Sequence, residues 1–213
     1  MTATRAPSGA ALAPVSITRA LLRALELRDP MTARHCVAVA GWTREVAHAA
    51  GLSRGGCQLA HTAGLLHDIG KLAFPDRILK RDVRLTPADW DRIRTHPGEG
   101  ARVLAGINGY EQVREIILAH HERVDGRGYP HGVPAAHVPA IARMIAVVDA
   151  YDAMTARDSY RPPVSPREAI AELRRVAGTQ LDPAFVDLFV ETRSRRGSGR
   201  FAPSARFTPV LRV

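Results

Sequence analysis

Apolar residues recur in this chain at intervals of three and four, with no alternating stretch of useful length. Ile17, Ala20, Leu21, Ala24 and Leu25 fall on one stripe; after a break at Asp29-Pro30, Val37, Ala40, Val46 and Ala47 continue on another. That spacing is the mark of helices with one buried face. Asp29 or Thr32 is placed to cap the second of them. A further helix is predicted over residues 57–69, stopped by Gly70. Residues 71–86 read as irregular around Pro75. Thr86 and Pro87 read as the cap and first residue of a helix running to about His96, and Pro97 starts another through Ala105. Residues 110–122, 138–156, 165–177 and 183–192 complete the series. No internal repeat is present. The expected fold is all-α, a single helical bundle.

The 213 residues allow one sizeable core. No stretch approaches the roughly 20 unbroken apolar residues that a membrane span needs. Pro7 and Pro14 interrupt the apolar run of MTATRAPSGAALAPVS, which argues against a secretory signal. A cytoplasmic protein is expected, with residues 1–15 a disordered lead, 16–192 the folded domain and 193–213 a basic, flexible tail. Cys36 and Cys57 give no disulfide framework, and Cys36 reads as a buried thiol. The formal charge of +9 is spread along the chain and fits an anionic partner. The denser run RSRRGSGR reads as solvated tail, so nucleic acid is not the expected partner. Among thirty Lys and Arg residues the lysines are Lys71 and Lys80 alone. Lys71, kept against that bias, stands three residues after a His-Asp pair.

That pair, His67-Asp68, lies in LAHTAGLLHDIG, and the pair His120-His121 lies in a second predicted helix. Neighbours on a helix point about 100° apart, and both members of a pair can still face one centre if it sits near the helix end. His35 and His96 stand near the breaks at Asp29-Pro30 and Pro97. Asp149 lies in an apolar helical stretch, where a carboxylate is costly to bury unless it is paired or bound to metal. His48, His61, His131 and His137 read as satisfied core histidines. A mixed His/Asp set suits Zn, Mn, Fe, Ni or Co. Two such ions about 3.5–4 Å apart would activate a bridging water and clamp a phosphoryl group.

In RDPMTARH, HTAGLLHDIGKLAFPDRIL, THPGEGARVL, ILAHHERVDGRGYPHG and AVVDAYDAMTARDSYR, taken in order, the chain resembles the HD-GYP family, a branch of the HD superfamily of metal-dependent phosphohydrolases. The resemblance spans about residues 28–190. It implies an HD-type helical bundle with a buried binuclear site, iron or manganese being favoured. It also implies hydrolysis of cyclic di-GMP to linear pGpG and then GMP by a metal-bridging hydroxide. By the family's pattern one metal takes His35, His67, Asp68 and Asp149, and the other Asp68, His96, His120 and His121, so that Asp68 bridges. Lys71 would stabilise charge developing on the phosphate. Tyr129, with Arg157 and Arg161, would hold the ligand, and Gly128, Tyr129 and Pro130 would contact GGDEF-type cyclase domains. Glu122 is expected in a supporting role.

Two positions depart from the pattern. Met31 stands where some members carry a Glu that helps build a third metal site, which implies two metals here. Arg157 and Asp158 exchange the charges of the family's order, which leaves open which cyclic dinucleotide is cleaved. A phosphohydrolase of another nucleotide and a non-catalytic cyclic di-GMP receptor or cyclase-binding scaffold are the alternative readings.

Overall fold

In a computed structural model the described residues are 15–79, 84–156 and 162–198. The chain runs through α1 (Val15–Arg28), α2 (Pro30–Ala49), α3 (Arg54–Leu66), a 3-10 turn (Ile69–Ala73), α4 (Asp76–Leu79), α5 (Pro87–Ile93), α6 (His96–Val103) and α7 (Glu111–Leu118). A second 3-10 turn (Ala135–His137) precedes α8 (Ala140–Thr155), α9 (Pro166–Val176) and α10 (Pro183–Ser198). An isolated bridge joins Ala177 to Leu181. The all-α expectation holds. Among the described residues no helix is long and apolar enough to cross a membrane.

The breaks follow local chemistry. Asp29 accepts hydrogen bonds from the backbone N–H groups of Met31 and Thr32 and from the Thr32 hydroxyl, which starts α2 at Pro30. Thr86 and Asp89 form a reciprocal capping box at α5, and Ser165 and Glu168 form another at α9. α2 and α3 lie close because Gly64 has no side chain: a Cβ there would stand 2.6 Å from the Cα of Ala40. α8 packs on α2, and α10 covers both, with the rings of Trp42, Tyr151 and Phe189 in mutual edge or tilted contact. A buried hydrogen bond of 2.7 Å between Thr18 Oγ1 and the Tyr110 hydroxyl ties α1 to the start of α7.

Three predicted helices end early. α3 stops at Leu66 rather than at residue 69, α5 at Ile93 rather than at His96, and α7 at Leu118 rather than at residue 122. Gly70 therefore does not terminate α3; it lies inside the 3-10 turn, where a Cβ would collide with the backbone carbonyl of His96 and come within 2.5 Å of the Gly100 nitrogen. Its need is close approach, not a left-handed backbone. The region 71–86, expected to be irregular, contains the short α4. The last helix continues to Ser198, past the expected start of the tail.

Candidate metal centre

The three early helix ends place three histidines. His67 caps α3 and donates from Nδ1 to the carbonyl of Gly64 at 2.8 Å. His96 does the same to Ile93 at 2.8 Å, and His120 to Ile117 at 2.5 Å. Each accepting carbonyl lies three residues back, at a helix C-terminus where carbonyls lack intrahelical partners. Facing a carbonyl, each Nδ1 must carry the proton, so each neutral ring turns an unprotonated Nε2 inward. All three residues are buried.

Among the described residues the candidate ligand atoms fall into three close groups, one of which joins His67 and Asp68 to the buried thiol of Cys36; the other two are built on imidazoles. His96, His120 and His121 bring one ligand atom each within 4.8 Å of one another, and so do His35, His67 and Asp149. Asp68 stands between them. Its Oδ1 is 3.2 Å from His96 Nε2, and its Oδ2 is 3.6 Å from His67 Nε2 and 3.9 Å from His35 Nε2. Neither His67 nor Asp68 is on regular α-helix, and His120 and His121 follow α7. The expected side-by-side helical pairs are thus pairs in turns, which is how both members face one centre.

Burial is the main reason that His96 is depressed to about 3, that His120 lies well below the usual imidazole range, and that His67 and His121 are lowered too. Buried imidazoles held neutral present lone pairs, not protons. Asp68 and Asp149 go the other way despite burial. Lys71 holds Asp68 well below the carboxylate range, with help from His67, His96 and His35, and the His35 hydrogen bond does the same for Asp149. Lys71 Nζ donates to Asp68 Oδ2 at 2.6 Å. His35 is the exception among the imidazoles. Burial opposes its charge, but hydrogen bonds to Asp149 at 3.0 Å and Asp152 at 2.6 Å raise it to about 10.

A divalent cation fits this donor set. The Nε2 atoms of His96 and His120 lie 3.1 Å apart, and with both Nδ1 atoms committed to carbonyls two lone pairs confront each other. His67 Nε2 is buried with no hydrogen-bond partner. Unpaired buried acceptors cost free energy that a bound cation removes. His/Asp sets of this kind suit first-row transition metals.

The chain's remaining predicted residues divide. Tyr129 stacks on His121 with ring centroids 4.8 Å apart, and its N–H donates to the His121 carbonyl at 3.2 Å. Gly128 has no room for a side chain: a Cβ would stand 2.6 Å from the His121 carbonyl oxygen. Pro130 follows a cis peptide bond. Glu122 accepts from the backbone N–H groups of His131, Gly132 and Val133, fixing the far limb of this loop. Arg157, Asp158 and Arg161 lie outside the described residues, as do Lys80 and most of the predicted tail. His48, His131 and His137 are exposed rather than packed in the core, and His61 is half-buried; none of the four belongs to the ligand groups found among the described residues. Met31 is half-buried near the start of α2, and Cys36 and Cys57 are buried free thiols. Sequence reasoning missed Asp152, which grips His35 from behind. Its spacing of three from Asp149 on α8 put both on one helix face.

Residues 19–185 match the HD domain family model. A cyclic di-GMP phosphodiesterase of Thermotoga maritima is 36% identical over 168 residues, covering 78% of this chain and 46% of that protein. One of Pseudomonas aeruginosa is 38% identical, covering 78% and 40%. A 3'3'-cGAMP-specific phosphodiesterase of Vibrio cholerae is 32% identical, covering 80% and 33%. The chain spans less than half the length of these relatives. Among solved structures, the HD domain of the Listeria monocytogenes phosphodiesterase PgpH superposes with a TM-score of 0.61 at 22% identity, covering 84% of this chain and 99% of that one; at this identity the likeness concerns the fold alone. The chain belongs to the HD domain family and carries the motifs of its HD-GYP branch.

Proposed function

We propose that this chain is a metal-dependent phosphodiesterase that hydrolyses cyclic di-GMP to linear pGpG and then to GMP in the cytoplasm. The observation that carries the reading is the placement of Asp68 between two ligand triads, His35–His67–Asp149 and His96–His120–His121. In this reading these residues hold two divalent transition metals, iron or manganese being favoured. Such a pair, when bound, supplies an activated water near neutral pH and a clamp for the phosphoryl group.

The chain's own groups do the rest. Lys71 is held by Asp68, yet its side chain is about a quarter exposed (26%). Its ammonium can therefore turn toward a phosphoryl oxygen as charge develops there. Burial, with the fields of Asp149 and Asp68, keeps the Tyr129 phenol protonated far above neutral pH, so it can donate a hydrogen bond to a substrate oxygen. His121 holds that ring in place by stacking. The Gly128–Tyr129–Pro130 loop, braced by Glu122, is in this reading also the contact for GGDEF-type cyclase domains.

Relatives that differ in substrate keep a second reading in play. Those named for 3'3'-cGAMP match about as well as several named for cyclic di-GMP, and Arg157 and Asp158 exchange charge in this chain. The complete ligand set argues against a non-catalytic receptor, in which ligands would be free to decay. The test is turnover of cyclic di-GMP, 3'3'-cGAMP and cyclic di-AMP by anaerobically purified protein of measured metal content, with products identified. Cyclic di-GMP is expected to give pGpG and then GMP; no turnover of any of the three would refute the reading.

A further inference from the structure

The hydrolytic reading gives Cys36 no role, yet the thiol lies against two of the ligands. Cys36 follows His35 on α2 and is fully buried. The two side chains point about 100° apart round the helix, so the imidazole meets Asp149 while the sulfur meets His67 and Asp68. One ligand atom each of Cys36, His67 and Asp68 lies within 4.8 Å of the other two. With Nδ1 committed to the Gly64 carbonyl, Nε2 is the nitrogen that His67 has to offer. That nitrogen is buried without a hydrogen-bond partner and stands 3.6 Å from Asp68 Oδ2. A buried acceptor left unpaired costs free energy, and a cation seated between the sulfur, this nitrogen and the carboxylate removes the cost. The other cysteine is engaged elsewhere: Cys57 Sγ donates to the Leu52 carbonyl at 3.5 Å and belongs to no ligand group among the described residues.

We propose that Cys36, His67 and Asp68 form a capture site for a soft divalent cation of the zinc or cadmium kind, and that an ion held there shuts off the hydrolytic centre. The shut-off rests on the two-metal reading above; the capture site does not. A thiolate is a soft donor, and soft donors favour zinc-like ions over the harder manganese. On binding, the S–H bond breaks, a sulfur lone pair bonds the ion and the proton leaves to the buffer, with nothing oxidised or reduced. Imidazole and carboxylate bring the protein donors to three, as in open zinc sites. His67 is also a member of the first triad, and Asp68 stands between that triad and the second. An ion drawn toward the sulfur takes both, so soft-ion capture and loading of the hydrolytic pair exclude each other.

The test titrates the full chain, freed of metal and kept reduced, with cadmium ions alone. Thiolate-to-cadmium charge transfer absorbs in the ultraviolet and reports sulfur ligation whatever the activity. Wild type and Cys57→Ser are expected to show the band, rising to a plateau set by a single thiolate, and Cys36→Ser and Cys36→Ala to lack it with helical content retained. The chain has two cysteines, so a band kept in Cys57→Ser assigns the sulfur to Cys36 even if the Cys36 variants misfold. In manganese-loaded wild type the band should grow as manganese leaves, followed by elemental analysis. Cadmium should inhibit cyclic di-GMP turnover by wild type at concentrations at least about tenfold lower than those needed for Cys36→Ala, the lower end of what losing a group that supports a metal site costs in affinity. No band in wild type, or a band lost in Cys57→Ser, would overturn the capture site and leave the hydrolase reading standing. A band that grows while all the manganese stays would overturn the shut-off. Wild type that shows the band but turns over no cyclic di-GMP under any loading would remove the hydrolase reading and keep the capture site.

Discussion

His35 is held from both edges of its ring: Nδ1 lies 2.6 Å from Asp152 Oδ2 and Nε2 lies 3.0 Å from Asp149 Oδ1. Asp152 fixes the plane of the imidazole, so that the Nε2 edge is aimed before any cation arrives, and it keeps the proton on Nδ1 once Nε2 gives up its own. Asp152→Asn should lower metal affinity by roughly 10–100-fold while leaving helical content intact. Competitive chelator titration measures this, and affinity equal to wild type would show that Asp152 does not orient the ligand.

A cation entering between His35 and Asp149 must displace the proton that this pair shares. His35 is raised to about 10, so in the metal-free protein it is protonated at neutral pH. Loading should release about one proton from this group, and apparent affinity should fall as pH falls. Calorimetric metal titrations in two buffers of different ionisation enthalpy count the protons. Loading that releases none would contradict this assignment of His35.

Lys71 donates to Asp68 at 2.6 Å through a compact ammonium. A guanidinium is broader and planar and cannot occupy the same point. Lys71→Arg should lower kcat by tenfold or more, about 1.4 kcal/mol of transition-state stabilisation, without expelling metal. An unchanged rate in single-turnover measurements would return Lys71 to a structural role.

Gly70 lets the 3-10 turn after Asp68 lie directly against the start of α6. A methyl group there meets the His96 carbonyl and the Gly100 nitrogen, both backbone atoms that cannot swing aside. Gly70→Ala should cost roughly 1–3 kcal/mol of stability, read by denaturant unfolding of the metal-free protein. It should also weaken loading, because His96 moves with the displaced backbone. An unshifted unfolding midpoint would show that the turn yields freely.

The helical periodicity made the fold legible, because each helix buries one stripe on a shared core. The candidate ligands were legible as residue types and as the His-Asp and His-His pairs, and the fold brings them together. The helix ends were not. Three predicted helices overran by three or four residues, at His67, His96 and His120. These are the histidines whose Nδ1 takes a carbonyl three residues back, a bond that competes with continuing the helix. At Ile93 the competition is one-sided, since the residue four ahead is Pro97 and has no N–H to offer. Apolar spacing does not register such side-chain bonds. Asp152 was hidden for another reason: its role depends on α2 and α8 packing together, which no local pattern records.

In the proposed mechanism one carboxylate, Asp68, joins two metal-binding triads into a hydrolytic centre. Elemental analysis of anaerobically loaded wild type and Asp68→Ala, with turnover of cyclic di-GMP on the same samples, tests it most directly. Two metals per chain are expected in wild type, since Met31 offers only a thioether where a third site would need a hard ligand. In Asp68→Ala both metal content and turnover should collapse while helical content is retained. An Asp68→Ala protein that keeps its metals and stays within about threefold of wild-type turnover, far short of the several kcal/mol that a metal centre contributes, would contradict the account.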